Sequence, residues 1–357
     1  MSRRPCIILG ASGLVGQRLQ QRLVNHPFFE IKAVSGSERT AGKRLDNIDW
    51  RLEQHRPDLP DLEVLDLAAE NFLSTLESLG IEVAFSALPS NIALDIESKI
   101  ANLGISVFSN SSANRRKPQI PLVIPEINQN RLLKNDKGIF CATNCTLLPV
   151  AIPLSAICQK LNVDHVKMRS RQALSGAGWE LLFDQEALKG NHDKEIPGEA
   201  EKTVAELLHI FSQAENQHTA NSSFTTDFQC QRVSRRDGHL VIVEVTIENS
   251  TTVEHIRKLM LEYNNSTNGS SPSSPKKPIH LVEKIDTEGH LWSDGVDFCS
   301  EPNPSSDLKT GMSIVVGNLE VINSKIIRFS AYSHNTIRGA AGGVVLLAEL
   351  AVMKSLI

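Results

Sequence analysis

The chain has 357 residues, which exceeds the usual size of one domain and predicts two domains with cores of their own. Hydrophobic residues make up 41% and charged residues 22%, and the net charge of -4 gives no electrostatic reason to expect nucleic acid as a partner. No apolar run reaches the length of a signal peptide or a membrane helix, and the six cysteines follow no disulfide spacing. We therefore expect a cytoplasmic protein that binds no nucleic acid and no membrane.

Short apolar runs alternate with amphipathic helical patterns over the first third of the chain. Buried strands are predicted at "CIIL", "IKAV", "EVAFSAL" and "ISVF", and Val15, Leu19 and Leu23 line one face of a helix after the first of them. Asn91 is predicted to cap another helix, which ends at Gly104. This β-α-β rhythm predicts a doubly wound parallel sheet.

The pattern changes after about residue 145. Helices are predicted at 146–161, 179–189 and 199–212, and "HLVIVEVTIE" is a long strand whose residues from Val241 to Ile247 alternate between two faces. Such alternation is typical of a mixed or antiparallel sheet with one covered face. The low-complexity segment 264–278 is predicted to be a mobile surface loop. The small residues of the C-terminal helix predict close packing against another element.

The turn "GASGLVG" follows a predicted strand and opens a predicted helix. Glycines there allow a sharp turn and close approach of a diphosphate, and the helix start offers unpaired N–H groups. A glycine-rich turn without a ligand is the alternative. The candidate cofactor contacts in this turn are Gly10, Ser12, Gly13, Leu14 and Val15.

The loop after the second predicted strand reads "SGSERTAGK". An NAD enzyme usually carries an acidic residue there for the ribose hydroxyls, whereas Ser37, Arg39 and Thr40 stand where a 2'-phosphate would bind. These residues predict NADP as the cofactor, although Arg39 is equally compatible with a solvated loop charge.

Cys145 lies in "FCATNCTLLP", after a predicted strand and at the predicted start of a helix. A helix start lowers the pKa of a thiol, which predicts a nucleophile, but free cysteines are often inert core residues and position alone decides nothing. Cys141 is expected to fill the strand core. No further His or Cys stands at ligand spacing, so no metal site is predicted.

The ordered motifs "GASGLVG", "FSALPS", "SNSSANR", "NCT", "QALSGAG", "GEAEK", "RRDGH" and "NTIRGAAGG" resemble aspartate-semialdehyde dehydrogenases, most closely those of archaea, fungi and some bacteria. The resemblance implies NADP-dependent conversion of L-aspartate 4-semialdehyde and phosphate to L-4-aspartyl phosphate. The reverse direction supplies lysine synthesis, by way of diaminopimelate, as well as threonine and methionine synthesis.

The resemblance also implies the roles of three catalytic residues. Cys145 matches the nucleophile that carries the thioester, and His239 matches the acid/base histidine. Gln172 matches the glutamine that orients the substrate at the nucleophile.

Substrate and cofactor positions carry over in the same way. Arg232 matches the arginine for the substrate carboxylate, Glu199 the glutamate for its ammonium, Lys202 and Arg115 the phosphate-binding residues, and Asn144 a supporting polar residue. Without the resemblance, an ion pair between Glu199 and Lys202 on a helix surface is the simpler interpretation. The implied cofactor contacts outside the first domain are Ser175, Gly176, Asn335 and Gly339.

The expected fold class is α/β. A Rossmann-type NADP-binding domain at 1–143 is completed by the C-terminal helix at 335–357, and an α+β catalytic and dimerisation domain with a mixed sheet occupies 144–334. The resemblance implies a homodimer or homotetramer. A malonyl-CoA reductase, an N-acetyl-glutamyl-phosphate reductase and a non-catalytic paralogue that acts as a binding protein are the alternatives.

Overall fold

The computed structural model describes residues 2–132, 138–213, 224–267 and 269–357. Its strands are β1 Arg4–Leu9, β2 Phe29–Gly36, β3 Val64–Asp66, β4 Val83–Ser86, β5 Ser106–Ser109, β6 Ile139–Cys141, β7 Val163–Gln172, β8 Thr225–Arg232, β9 His239–Ile247, β10 Ile279–Leu281, β11 Ile314–Ile322 and β12 Ile326–Ser333. Its α-helices are α1 Leu14–Leu23, α2 Phe72–Ser78, α3 Ser90–Asn102, α4 Pro125–Asn128, α5 Leu148–Cys158, α6 Trp179–Leu182, α7 Gln185–Leu188, α8 Glu199–Ser212, α9 Val253–Ser266 and α10 Gly342–Met353. Ile337–Ala341 forms a π-helical turn.

The first sheet has the strand order β3-β2-β1-β4-β5-β6, and every neighbouring pair is parallel. This is the order of a dinucleotide-binding Rossmann sheet, in which ligands bind at the carboxyl ends of the strands. All four residues of β4 are buried, because helices cover both faces of a parallel sheet. The predicted doubly wound parallel sheet is confirmed.

Helix α10 returns the C-terminus of the chain to the first sheet. It packs against α1 and β5, and its Val344, Val345 and Leu347 share a core with Cys6 and Ile8 of β1. This close packing agrees with the small residues that precede the helix. The division of the chain at 143/144 stays a prediction.

The second sheet has the order β10-β11-β12-β9-β7-β8 and is mixed. The β7–β8 and β10–β11 pairs are parallel, and the three pairs between them are antiparallel. Val241, Val243, Val245 and Ile247 of β9 are all buried, on the face that packs against α5. The predicted one-sided strand is therefore confirmed.

The cap predicted for α3 and the single helix predicted at 179–189 are both wrong. Helix α3 begins at Ser90, and Pro89, whose backbone is extended with ψ of 147°, is the residue before its first turn. Asn91 therefore lies inside the helix and does not cap it. The helix predicted at 179–189 is two short helices. Asp184 interrupts it with an extended backbone, and its Oδ1 accepts hydrogen bonds from the N–H groups of Glu186 and Ala187 at the start of α7.

The segment 264–278 is not the surface loop that its composition predicts. Ser271, Ser273 and Ser274 are buried, and the N–H of Ser273 donates to the buried carboxylate of Glu349 at 2.9 Å. A buried carboxylate on α10 needs hydrogen-bond donors, and this segment supplies one. Asn268 falls outside the described residues. In the described ranges, no helix combines the length and the apolar character that crossing a membrane requires.

Candidate active site

Cys145 lies in the turn that joins β6 to α5. The helix begins at Leu148, two residues later than the range 146–161 predicts, and Pro149 lies in its first turn. The expected lowering of the thiol pKa is also wrong. Burial and the nearby Glu199 raise the pKa of Cys145 to about 12, and Arg115 opposes this rise.

Asn144 holds the turn through three hydrogen bonds. Its side-chain amide donates to Glu199 Oε1 at 2.8 Å, and its Oδ1 accepts from the N–H of Thr146 at 2.7 Å. Its backbone N–H donates to Glu206 Oε2 at 2.7 Å. Two glutamates of one helix, α8, therefore fix the residue that precedes Cys145.

His239 begins β9 and is buried. Its Nδ1 accepts a hydrogen bond from the N–H of Ala173 at 3.2 Å, so the neutral ring carries its proton on Nε2. Nε2 has no hydrogen-bond partner among the described residues. Burial, together with Arg232 and Arg235, lowers the pKa of His239 to about 3. The ring is thus neutral and offers one free donor.

Arg232 lies beside His239. The two side chains share a neighbour, because a Cβ built on Gly176 would lie 3.1 Å from Arg232 Nη1 and 3.2 Å from His239 Nε2. Arg232 Nη1 donates to Ala173 O at 3.0 Å, and burial lowers the pKa of Arg232 while Cys145 opposes that shift. A fixed guanidinium fork in this position suits a substrate carboxylate.

Gln172 ends β7 directly opposite Arg232 in the β7–β8 pairing. It is buried, and its amide donates to Ser170 Oγ at 3.3 Å. Of the predicted substrate contacts, the structure therefore brings Gln172, Arg232 and His239 to one end of the second sheet.

The two predicted phosphate contacts, Arg115 and Lys202, differ in their burial and in their partners. Arg115 is nearly buried and donates from Nη1 to Glu206 at 3.0 Å and from Nη2 to Asn110 O at 2.6 Å. Burial opposes its charge, Glu206 more than offsets this, and the pKa of Arg115 is raised. Lys202 is exposed, and no salt bridge joins it to Glu199 in the described part of the chain.

The glycine turn after β1 has the geometry that a diphosphate requires. Gly10 has a φ of +82°, and a Cβ at Gly16 would lie 2.1 Å from Gly10 O, so that α1 passes directly against the turn. No side chain caps the start of α1 at Gly13. The backbone oxygen of Ser12 accepts from Trp179 Nε1 at 3.1 Å, which ties the turn to α6.

Leu14 and Val15, at the start of α1, also contact the segment that carries α6 and α7. Leu14 is buried with Leu174, Leu182 and Ala187, and Val15 packs against the same cluster. The first turn of α1 thus faces the 174–188 segment rather than solvent.

A cavity of about 770 Å³ opens beyond β2. Ser37, Glu38 and Arg39 line it together with residues of α3, which is where the adenosine half of a dinucleotide binds in this type of sheet. Thr40 lies outside this lining, and its hydroxyl donates to Ser37 O at 3.0 Å. Ser37 and Arg39 are exposed, as a contact for a 2'-phosphate requires.

Asn335 connects the remaining predicted cofactor residues. Its amide donates to Ser175 Oγ at 2.9 Å and accepts from the N–H of Gly238 at 2.7 Å. Gly339 lies against the nucleophile, since a Cβ built on it would be 2.5 Å from Cys145 Cβ. No group of His, Cys, Asp or Glu that suits a metal ion occurs among the residues that the structure describes.

Comparison with known proteins identifies the family. The family of semialdehyde dehydrogenase NAD-binding domains matches residues 6–135. The aspartate-semialdehyde dehydrogenase of Archaeoglobus fulgidus is 31% identical over 98% of this chain and 98% of its own length. The chain belongs to the aspartate-semialdehyde dehydrogenase family. The resemblance seen in the sequence motifs is therefore confirmed.

Two further members and neighbours of the family bear on the chemistry. The crystal structure of the Candida albicans aspartate-semialdehyde dehydrogenase with NADP superposes with a TM-score of 0.78 at 28% identity, and the match covers 100% of both chains. The malonyl CoA reductase (NADP) of Metallosphaera sedula is 30% identical over 98% of this chain and 97% of its own length. Membership of the family therefore establishes the fold. Because relatives named for different activities are about equally similar to this chain, the substrate has to be inferred from the side chains of the site.

Sequence reasoning missed two contributors to this family site. Glu206 binds both Arg115 and Asn144, and Trp179 binds the glycine turn. Glu206 follows Glu199 by seven residues, which places both on one face of a helix, and that spacing was the available signal.

Proposed function

We propose that this chain catalyses the reversible, phosphate-dependent oxidation of L-aspartate 4-semialdehyde to L-4-aspartyl phosphate with NADP, through a thioester on Cys145. NADP, when bound, accepts the hydride from the substrate carbon. The uncapped start of α1, the close approach of Gly16 to Gly10 and the cavity lined by Ser37 and Arg39 fit its diphosphate, its adenosine and its 2'-phosphate.

The side chains divide the remaining work. When the Cys145 thiol adds to the aldehyde carbon, the C–S bond forms as the C=O π bond opens, and the thiol proton ends on the former carbonyl oxygen. His239 Nε2 relays it, because it gives its own proton to that oxygen and takes the thiol proton in exchange, so that the ring stays neutral. When the hydride leaves, the hydroxyl proton passes by the same exchange at Nε2 to water and the C=O bond forms again. After the hydride has left, phosphate attacks the thioester carbon, the C–S bond breaks, and the aspartyl phosphate departs.

The acidic side chain beside the nucleophile distinguishes this proposal from its nearest rival. Glu199 accepts from Asn144, the residue next to Cys145, so its carboxylate lies beside the nucleophile and is available to the ammonium group of a bound aspartate derivative. A malonyl thioester has no amino group, and a carboxylate at this position would repel its own negative charge. This contact is the observation that carries the proposal.

The test is a steady-state assay of purified protein with aspartate semialdehyde and NADP. Reduction of NADP should require phosphate or arsenate and should vanish in Cys145→Ala. Cys299→Ala, which alters another half-buried free cysteine, is the matched control and should retain activity. Equal turnover without the oxyanion, or in Cys145→Ala, contradicts the mechanism. Faster oxidation of NADPH with malonyl-CoA than with aspartyl phosphate would favour the rival reductase.

We also propose that the protein acts in the cytoplasm as a homodimer or homotetramer. Support for self-association comes from the second sheet, whose outer face is half-exposed along β9 at Leu240, Ile242 and Thr246. Sedimentation equilibrium should give a mass of two or four chains, and a single chain at micromolar concentration would contradict this.

A further inference from the structure

Glu206 is a buried carboxylate to which the proposed mechanism assigns no step. It lies on α8, seven residues after Glu199, and it is 4% exposed. Its neighbours Leu207 and Ile210 are fully buried in the main core. The helix therefore holds the carboxylate in place by packing, and the carboxylate has little freedom to follow a ligand.

Both oxygens of Glu206 are used. Oε1 accepts from Arg115 Nη1 at 3.0 Å, and Oε2 accepts from the backbone N–H of Asn144 at 2.7 Å. These two partners come from different parts of the site, namely the loop after β5 and the turn that carries Cys145. One carboxylate thus links the proposed phosphate-binding arginine to the backbone of the nucleophile.

The loop that carries Arg115 is fixed from its other side as well. Asn114 Nδ2 donates to Glu97 Oε2 at 2.7 Å, and Ser109 Oγ donates to Glu97 Oε1 at 2.6 Å. Glu97 therefore anchors the loop through the side chains of Ser109 and Asn114, whereas Glu206 anchors the guanidinium. Arg115 Nε has no partner among the described residues, so the guanidinium retains an unpaired donor.

We propose that Glu206 is a positioning residue that sets Arg115 for phosphate relative to Cys145. This inference rests on the proposed function, because it deepens the account of phosphate in that reaction. The two partners use different oxygens, and a carboxylate offers an acceptor at each. A glutamine in its place offers one acceptor and one donor, so either Arg115 or the Asn144 N–H must face an N–H group of the amide.

The prediction for Glu206→Gln is a selective loss of phosphate binding. A hydrogen bond to a charged group is worth about 1.5–3 kcal/mol, so the KM for phosphate should rise about tenfold or more while the KM for NADP stays within about twofold. Glu206→Asp keeps both acceptors one methylene farther back and should show a smaller rise. Glu201→Gln, an exposed glutamate on the same helix, should behave as the wild type.

A second measurement needs neither substrate nor turnover. Iodoacetamide labels Cys145 in the full chain, peptide mass spectrometry reports the extent, and added inorganic phosphate should slow the labelling. Half-protection should need about tenfold more phosphate in Glu206→Gln than in the wild type or Glu201→Gln. Suppose that Glu206→Gln shows this difference in protection but the wild type does not turn over aspartate semialdehyde. The proposed function would then be refuted, and the role of Glu206 in phosphate binding would stand.

Several results would overturn the inference. A Glu206→Gln protein with an unchanged KM for phosphate and only a lower kcat or melting temperature would show a merely structural residue. Equal phosphate protection of all three proteins, or no protection in any of them, would have the same force. If Glu206→Gln does not fold, Glu206→Asp takes its place. A KM for phosphate and a half-protection concentration equal to those of the wild type in Glu206→Asp would then overturn the inference.

Discussion

The contact between Gly339 and Cys145 gives a prediction with a magnitude. In Gly339→Ala the new Cβ would lie 2.5 Å from Cys145 Cβ and 3.0 Å from Cys145 Cα. Ordinary contact between carbon atoms begins about 1 Å farther away, so the turn that carries the nucleophile must move by about that amount. Misplacement of a reacting group by 1 Å can cost about 100-fold in rate, and overpacking costs about 1–3 kcal/mol of unfolding free energy.

The assay is kcat for phosphate-dependent NADP reduction, with the melting temperature measured in parallel. Gly342→Ala, three residues farther along the chain than Gly339, is the matched control. Its new Cβ would clash with the side chain of Met312. Both variants should lose stability, and only Gly339→Ala should lose about 100-fold in kcat. Equal kcat losses in the two variants, or a fully active Gly339→Ala, would refute the reasoning.

Three further predictions follow from buried contacts. Gly176→Ala places a Cβ 3.1 Å from Arg232 Nη1 and from His239 Cε1, so kcat/KM for the semialdehyde should fall about tenfold in steady-state assays. The pKa of His239 is about 3 in the folded chain, against an ordinary 6.5. The unfolded chain therefore binds a proton that the folded chain does not, and the unfolding free energy falls as the pH drops below 6.5. When the pH is lowered from 6.5 to about 5, the wild type should lose about 2 kcal/mol more unfolding free energy than His239→Asn does, and urea titrations at both pH values can measure this. Glu126→Ala leaves the buried Arg338 without the carboxylate that now lies at 2.6 Å, and urea titrations should show a loss of about 3–5 kcal/mol.

Controls separate these effects from general damage. Glu186→Ala removes an exposed partner of Lys189 and should leave the unfolding free energy almost unchanged, in contrast to Glu126→Ala. An equal pH dependence of stability in His239→Asn and the wild type would show that the imidazole does not resist protonation. For Gly176→Ala, an unchanged kcat/KM would mean that Arg232 and His239 can both give way.

Local patterns were sufficient for much of the fold. The buried strand β1, the glycine turn and α1 follow one another directly, and their hydrophobic spacing and turn residues are read within twenty positions. The alternation of Val241 to Ile247 likewise depends on the strand alone. These features are predictable because the physical cause lies next to them in the chain.

Features that depend on distant partners could not be predicted. Glu206 meets Arg115 across 91 positions, and Ser273 meets Glu349 across 76, so neither segment shows its environment in its own composition. The thiol of Cys145 is a similar case. The sequence predicted a lowered pKa from a helix start, whereas the surrounding fold buries the thiol near Glu199 and raises its pKa.

The measurement that tests the central claim most directly is the mass of the Cys145 peptide after acid quenching of protein incubated with aspartate semialdehyde and NADP without phosphate. The thioester mechanism predicts a gain of one aspartyl group on Cys145, and this gain should disappear when phosphate is added before the quench. Formation of NADPH with no adduct, or with the adduct on another cysteine, would contradict the account.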